Sequence, residues 1–163
     1  MKNVFTLALI SYFTFPVFNN VKPFHAQSSC QATINSVVND IKSKGVRTVL
    51  IKEDQVSEYY TNNPTNRNTE LWLIMGSRNR NYTNFDQRSS TIISNIMHSK
   101  VLMKNYSDRI VSNCSQYAVV SISEEASDWT EQYALQPNGK TKLRTCVKAG
   151  SGVQLTWNQR ICV

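Results

Sequence analysis

Apolar side chains at Ile34, Val37, Val38 and Ile41 follow the i, i+3, i+4, i+7 spacing of one buried helix face. Ser28, followed three residues later by Gln31, reads as a capping box. Lys42 and Lys44 suit the negative end of the helix dipole, and Gly45 can take the left-handed conformation that ends it. The pattern predicts an amphipathic helix from Ser28 to Gly45. Val46 to Ile51 is β-branched and aliphatic, with Arg47 and Thr48 interposed, and reads as a strand. Asn62 to Asn68 is too polar for a core. Leu71 to Met75 is an apolar run too short for a helix and is expected to be a buried strand. Ser77 to Asp86 is a second loop. Ser89 or Ser90 is expected to cap a second helix through Ile92, Ile93, Ile96 and Met97 toward Leu102. Ser107-Asp108 then reads as the start of a shorter helix carrying Ile110, Val111 and Cys114.

The last third alternates like a sheet. Tyr117 to Ile122 is apolar on both faces, as a central strand would be. Trp129 to Gln136 and Lys140 to Val147 flank Gln136-Pro137-Asn138-Gly139, a type I turn with glycine at the bulge position. That turn sets Gln136 opposite Lys140; Leu135 then faces Thr141, Tyr133 faces Leu143 and Trp129 faces Val147, these three pairs on one face. Ala134 with Lys142 and Gln132 with Arg144 fall on the other side, away from the core, where a returning tail would cover the strand end. A one-residue slip would mix the two sets, so polarity selects this register. The expected class is α+β: a small antiparallel sheet covered on one face by the N-terminal helix and one or two further helices.

The N-terminus changes the picture. Lys2 precedes a mostly apolar run from Val4 to Phe18, the size of a secretory leader and short of the roughly twenty residues of a spanning helix. Residues 1–26 read as a signal peptide cleaved after Ala26 or Ser28, and residues 27–163 as one domain with no transmembrane segment after cleavage. Removing Lys2 and Lys22 lowers the net charge from +7 to about +5. In an exported chain the even cysteine count implies two structural disulfides among Cys30, Cys114, Cys146 and Cys162. Four cysteines allow three connectivities. Antiparallel packing of the first and last helices favours Cys30–Cys114, which leaves Cys146–Cys162. A plain hairpin through Ala149 to Gly152 would set Leu155 against Cys146 and carry Cys162 roughly 23 Å beyond it. A disulfide spans only about 7 Å between α-carbons. So either Asn158 to Cys162 curls back, or Cys146 pairs elsewhere.

Cys114 at a helix end before a strand, Trp129, Tyr133, the Asn138-Gly139 turn, Cys146-Val147 and the terminal Trp157 to Cys162 resemble a group of small exported proteins of cyanobacteria. The resemblance extends back to the Cys30-Gln31 helix. It implies a compartment and a source, and assigns no activity and no residue role.

Candidate chemistry is sparse. Ala134 to Thr141 fits the loose form of a phosphate loop. Its single glycine, Pro137 and the strand pattern after it make it a hairpin, so no nucleotide is expected. No two cysteines are spaced for a metal knuckle, and only His98 remains after the leader, so neither a metal nor another cofactor is expected. His98 ends a helix without a nucleophile elbow nearby. Glu124, Glu125, Asp128 and Glu131 form the densest acidic group and sit about a strand connection, where charges are usually solvated. Arg67, Arg78, Arg80 and Arg88, interleaved with Tyr59, Tyr60, Tyr82 and Phe85, would suit a polyanion, but they are diluted by asparagine and give no expectation of nucleic-acid binding. No catalytic residue is assigned. The expected function is a disulfide-stabilised binding or interaction domain of the cell envelope, periplasmic or extracellular, with an envelope protein or an acidic polysaccharide as partner. The alternatives are a hydrolase using the acidic group or His98, and a structural envelope protein.

Overall fold

The computed structural model describes residues 24–56, 60–78, 85–148 and 154–162. The leader expected over residues 1–26 falls almost wholly outside them. The described elements are α1 (Phe24–Ser43), β1 (Thr48–Gln55), β2 (Tyr60–Thr61), β3 (Thr69–Gly76), α2 (Gln87–His98), α3 (Lys100–Asn113), β4 (Tyr117–Glu124), β5 (Thr130–Leu135), β6 (Thr141–Leu143), β7 (Thr145–Lys148), β8 (Leu155–Thr156) and β9 (Gln159–Cys162).

A five-stranded sheet in the order β1-β3-β4-β5-β6 forms the centre. Its neighbours are antiparallel except β3 and β4, which run parallel because α2 and α3 cross over between them. The fold is α+β with a mixed sheet. Ile34, Val37, Val38 and Ile41 of α1 are buried as their spacing requires, and pack with Ile93, Met97, Met103 and Ile110 over Leu71, Leu73, Met75, Val120 and Ile122. Each apolar set lies on one strand face by the two-residue period.

The helix boundaries differ from the sequence pattern in three places. First, α1 begins at Phe24, so Ser28 lies inside it rather than capping it. Second, the cap of α2 is Asp86, whose side chain accepts from Ser89 N at 3.1 Å, and not Ser89 or Ser90. Third, Ser99 ends α2 and caps α3, accepting from Leu102 N. The helix therefore stops short of Leu102, and Ser107-Asp108 sits mid-helix. The buried Ser107 hydroxyl donates to Met103 O at 2.9 Å, which satisfies it within the helix.

The hairpin register is the one polarity selects: Tyr133 opposite Leu143, Ala134 opposite Lys142, Leu135 opposite Thr141. It ends earlier than the alternation suggests. Arg144 N still donates to Gln132 O, but Thr145 N donates to Asn158 O, so the chain changes partner from β5 to the C-terminal tail. Val147 therefore lies in β7, paired in parallel with β9, and does not face Trp129. The tail crosses the sheet face opposite the helices. There β8 pairs with β2, and Trp157 packs with Ala118, Val119, Ala134, Val56 and Tyr60 in a second, smaller core. A bulge at Ala118 lets Ala118 and Val119 both join it while Tyr117 and Val120 face the helices. The sheet is thus covered on both faces in part.

Both disulfides pair as the helix packing favours. Cys30–Cys114 joins α1 to the end of α3, and Cys146–Cys162 joins β7 to β9.

Candidate functional site

The residues singled out in the sequence do not gather in one cleft, although His98 and Glu131 share Trp129 as a neighbour, its Nε1 donating to Glu131 Oε1 at 3.4 Å. Glu131 ion-pairs with Arg160 at 3.0 Å. Glu125 packs against Gly76, where an added Cβ would come within 2.3 Å of its carboxylate. Glu124 ends β4 half-buried, and Asp128 is exposed in the turn before β5. His98 is the last residue of α2; its ring contacts Ser94 O through Nδ1 at 2.8 Å and meets Trp129 edge-on at 4.7 Å. Arg67 turns inward and donates through Nη1 to the carbonyls of Val111, Cys114 and Tyr117 at 2.8, 3.2 and 3.1 Å. It satisfies carbonyls at the end of α3 that the helix leaves open. Arg78 and Phe85 form an isolated bridge, and Arg88 is exposed on α2. Tyr59, Arg80 and Tyr82 lie outside the described residues.

Two sites that the sequence pattern did not single out are built instead. The first lies under the tail. Arg144, which the alternation places on the face away from the helix-side core, is 2% exposed. Its guanidinium stands 3.7 Å from the Tyr60 ring centroid and 4.8 Å from that of Trp157. Nε donates to Trp157 O and Nη1 to Gln132 Oε1, while Nη2 has no partner. Gln132 bridges onward, donating to Glu70 Oε1, which also accepts from Ser121. Burial raises the Glu70 carboxyl above its usual range and lowers Arg144 below its own. Burial also raises the Tyr60 phenol. Ser121 beside a carboxylate has the chemistry of an activated hydroxyl, but it is fully buried, so no substrate reaches it.

The second is a groove of about 590 Å³ between α1, the outer side of α3 and the turn before β6. Asp40, at the end of α1, accepts from the Tyr106 hydroxyl, which pulls its carboxyl below the usual range with help from Lys44. Asp108 is opposed by burial but carries Lys104 at 2.7 Å and the Thr141 amide and hydroxyl, so it too is lowered. Both carboxylates are therefore held ionised and engaged, unsuited to donate a proton at neutral pH. Lys44 and Lys104 offset them. Arg109, donating to Ser36 at 3.0 Å, and Lys140 remain as the groove's surplus cations.

Among the described residues no group of three or more His, Cys, Asp and Glu side chains is placed to hold a metal ion. No described helix is long and apolar enough to cross a membrane. What the fold defines is a two-disulfide α+β domain. No protein-family model matches the chain, and no curated protein or solved structure matches it.

Proposed function

We propose that this is an exported, disulfide-stabilised binding domain of the cell envelope, periplasmic or extracellular, that takes an acidic polysaccharide along the α1–α3 groove. The groove's charge supports this reading: two carboxylates already engaged by Lys44 and Lys104, with Arg109 and Lys140 left over. Uronate carboxylates spaced along a polymer would meet those cations, and the polar lining from Asn105 and Asn113 offers hydrogen bonds to hydroxyls. Pairing of all four cysteines fits an oxidising compartment, where such bonds persist. The test is affinity electrophoresis in gels containing polygalacturonate or neutral dextran. Retardation by polygalacturonate alone is expected, weakening with salt and falling at least about tenfold in an Arg109→Ala/Lys140→Ala variant, since loss of even one of the two charged contacts is worth that much. Equal mobility in both gels, or unchanged retardation of the double variant, would overturn the reading.

A second reading, docking of an envelope protein, draws on the sheet edge. Leu50 and Ile51 on the edge strand β1 are exposed, as is Phe85, whose neighbour Asp86 ion-pairs with Arg47 at 3.1 Å, just before β1. Retention on envelope protein, lost in Ile51→Glu and kept in the groove variant, would favour it. The hydrolase alternative rests on the acidic group and His98, of which Glu131 and His98 hold structural partners.

A further inference from the structure

The two disulfides sit in opposite environments. Cys30 and Cys114 are 4% and 1% exposed within the helix-side core. Cys146 is exposed and Cys162 half-buried, on two strands of four residues each. In the β7–β9 ladder Arg160 is the register partner of Cys146, and Lys148 that of Cys162. Arg160 is offset by Glu131, whereas Lys148 has no acidic partner in the ladder. A cation beside a sulfur stabilises the thiolate that leaves when a disulfide is attacked. Beyond the bond, the described tail is held by Trp157 and Leu155, by the β2–β8 and β7–β9 ladders, by the Arg160–Glu131 ion pair at 3.0 Å, and by hydrogen bonds that include Trp157 Nε1 to Leu135 O at 2.7 Å and Gln136 Nε2 to Asn158 Oδ1 at 2.9 Å. What it covers is Arg144, with its unpartnered Nη2.

We propose that Cys146–Cys162 is a site of thiol–disulfide exchange with a dithiol protein of the thioredoxin type, and that its reduction releases the tail and uncovers Arg144. A thiolate of the dithiol attacks the exposed Cys146 sulfur, forming a mixed disulfide and expelling the Cys162 thiolate. The second thiol of the reductant then attacks the mixed disulfide, frees Cys146 and closes the reductant's own disulfide. Two electrons and two protons pass from the dithiol to the two cysteines. Cys30–Cys114 stays shielded from this attack by its burial. The released tail gains the conformational freedom that a crosslink over 16 residues withholds, which raises its open population by roughly a hundredfold. This switch is independent of the α1–α3 groove, whose binding can fail without affecting it.

The test treats the oxidised full chain with thioredoxin, and with dithiothreitol as a small-molecule control. Thiols are trapped with a maleimide over time and mapped by peptide mass. Tryptophan emission is followed in the wild type and in Trp157→Phe. Cys146 and Cys162 are expected to be labelled at least about tenfold sooner than Cys30 and Cys114. A red shift should accompany their labelling in the wild type and be missing from Trp157→Phe. A Cys146→Ser/Cys162→Ser variant should show the shifted emission without reductant. Labelling of all four cysteines at one rate would overturn the proposal, as would labelling of Cys146 and Cys162 with no change in Trp157 emission. The wild-type time course decides the matter even where the serine variant does not fold.

Discussion

The two faces of the sheet solve the same problem with different materials. The helix side buries a continuous apolar set contributed by α1, α2, α3 and the four strands from β3 to β6, with Cys30–Cys114 at its margin. Among the described residues the tail side has five buried apolar side chains, Ala118, Val119, Ala134, Leu155 and Trp157, and a polar line from Glu70 through Gln132 to Arg144. Apolar packing is non-directional and tolerates loss of single contacts, whereas a buried polar line depends on every member being present. The helix face should therefore set global stability and the tail face should set which local state is populated.

The largest expected effects test the crosslinks. By the chain-entropy relation, Cys30→Ser/Cys114→Ser should lower unfolding free energy by about 4–5 kcal/mol, since the bond spans 84 residues, against about 3 kcal/mol for the Cys146–Cys162 pair spanning 16. Urea unfolding measures both. A larger loss from the tail pair would reverse the ranking of the two faces. Next come the cores themselves. Ile110→Ala, on the helix side, should cost about 2–5 kcal/mol globally. Trp157→Ala removes a larger side chain, but from the smaller cluster, so it is expected to loosen the tail while the sheet stays folded. Its global cost is thus limited to the tail's docking energy, and proteolysis within residues 154–162 should rise more than the urea midpoint falls. A cooperative global loss from Trp157→Ala as large as that from Ile110→Ala would show that the tail side is part of one folding unit.

How far each face was legible in the sequence follows the same division. The α1 stripe and the β5–β6 register depend on neighbours close in sequence and on a face period, so they could be read directly. Arg144 could not. Its alternation places it correctly on the face with Gln132, but that face is closed by Trp157 and Tyr60, brought in by a chain reversal that no local pattern specifies. Arg67 failed for the same reason, since its three carbonyl partners come from the end of α3 and the start of β4. The one signal available was Glu70, Ser121 and Gln132: polar residues on inner strands, at positions that face one way. Ser107-Asp108 misled in the other direction, because a residue pair that favours caps is accommodated mid-helix once the serine bonds back to Met103 and the aspartate finds Lys104 and Thr141. The groove's role for Asp40 was likewise invisible, as Tyr106 reaches it across two helices.

The subtlest expected effect separates the faces by pH. On the helix side Asp40 is lowered, first by the Tyr106 hydroxyl, so its contribution is present above the ordinary aspartate range near pH 4 and is lost as pH falls through its lower folded value. On the tail side Glu70 is raised by burial. There the folded state binds the proton more tightly than the unfolded state, so stability declines as pH rises from the ordinary glutamate value, near 4.3, through the raised one. Glu70→Gln keeps the amide in place of the acid and should remove this decline, leaving only the acid-side loss from carboxylates such as Asp40. The same substitution should soften the effect of Arg144→Met. In the wild type that change strips Glu70 of its nearest countercharge and should cost about 1–3 kcal/mol, and in the Glu70→Gln background distinctly less. Urea midpoints from pH 4 to pH 8 for the two single variants and the double variant provide both readings. Parallel pH profiles for wild type and Glu70→Gln, with additive costs for Arg144→Met, would mean that the charges under the tail are solvated and the tail is already open.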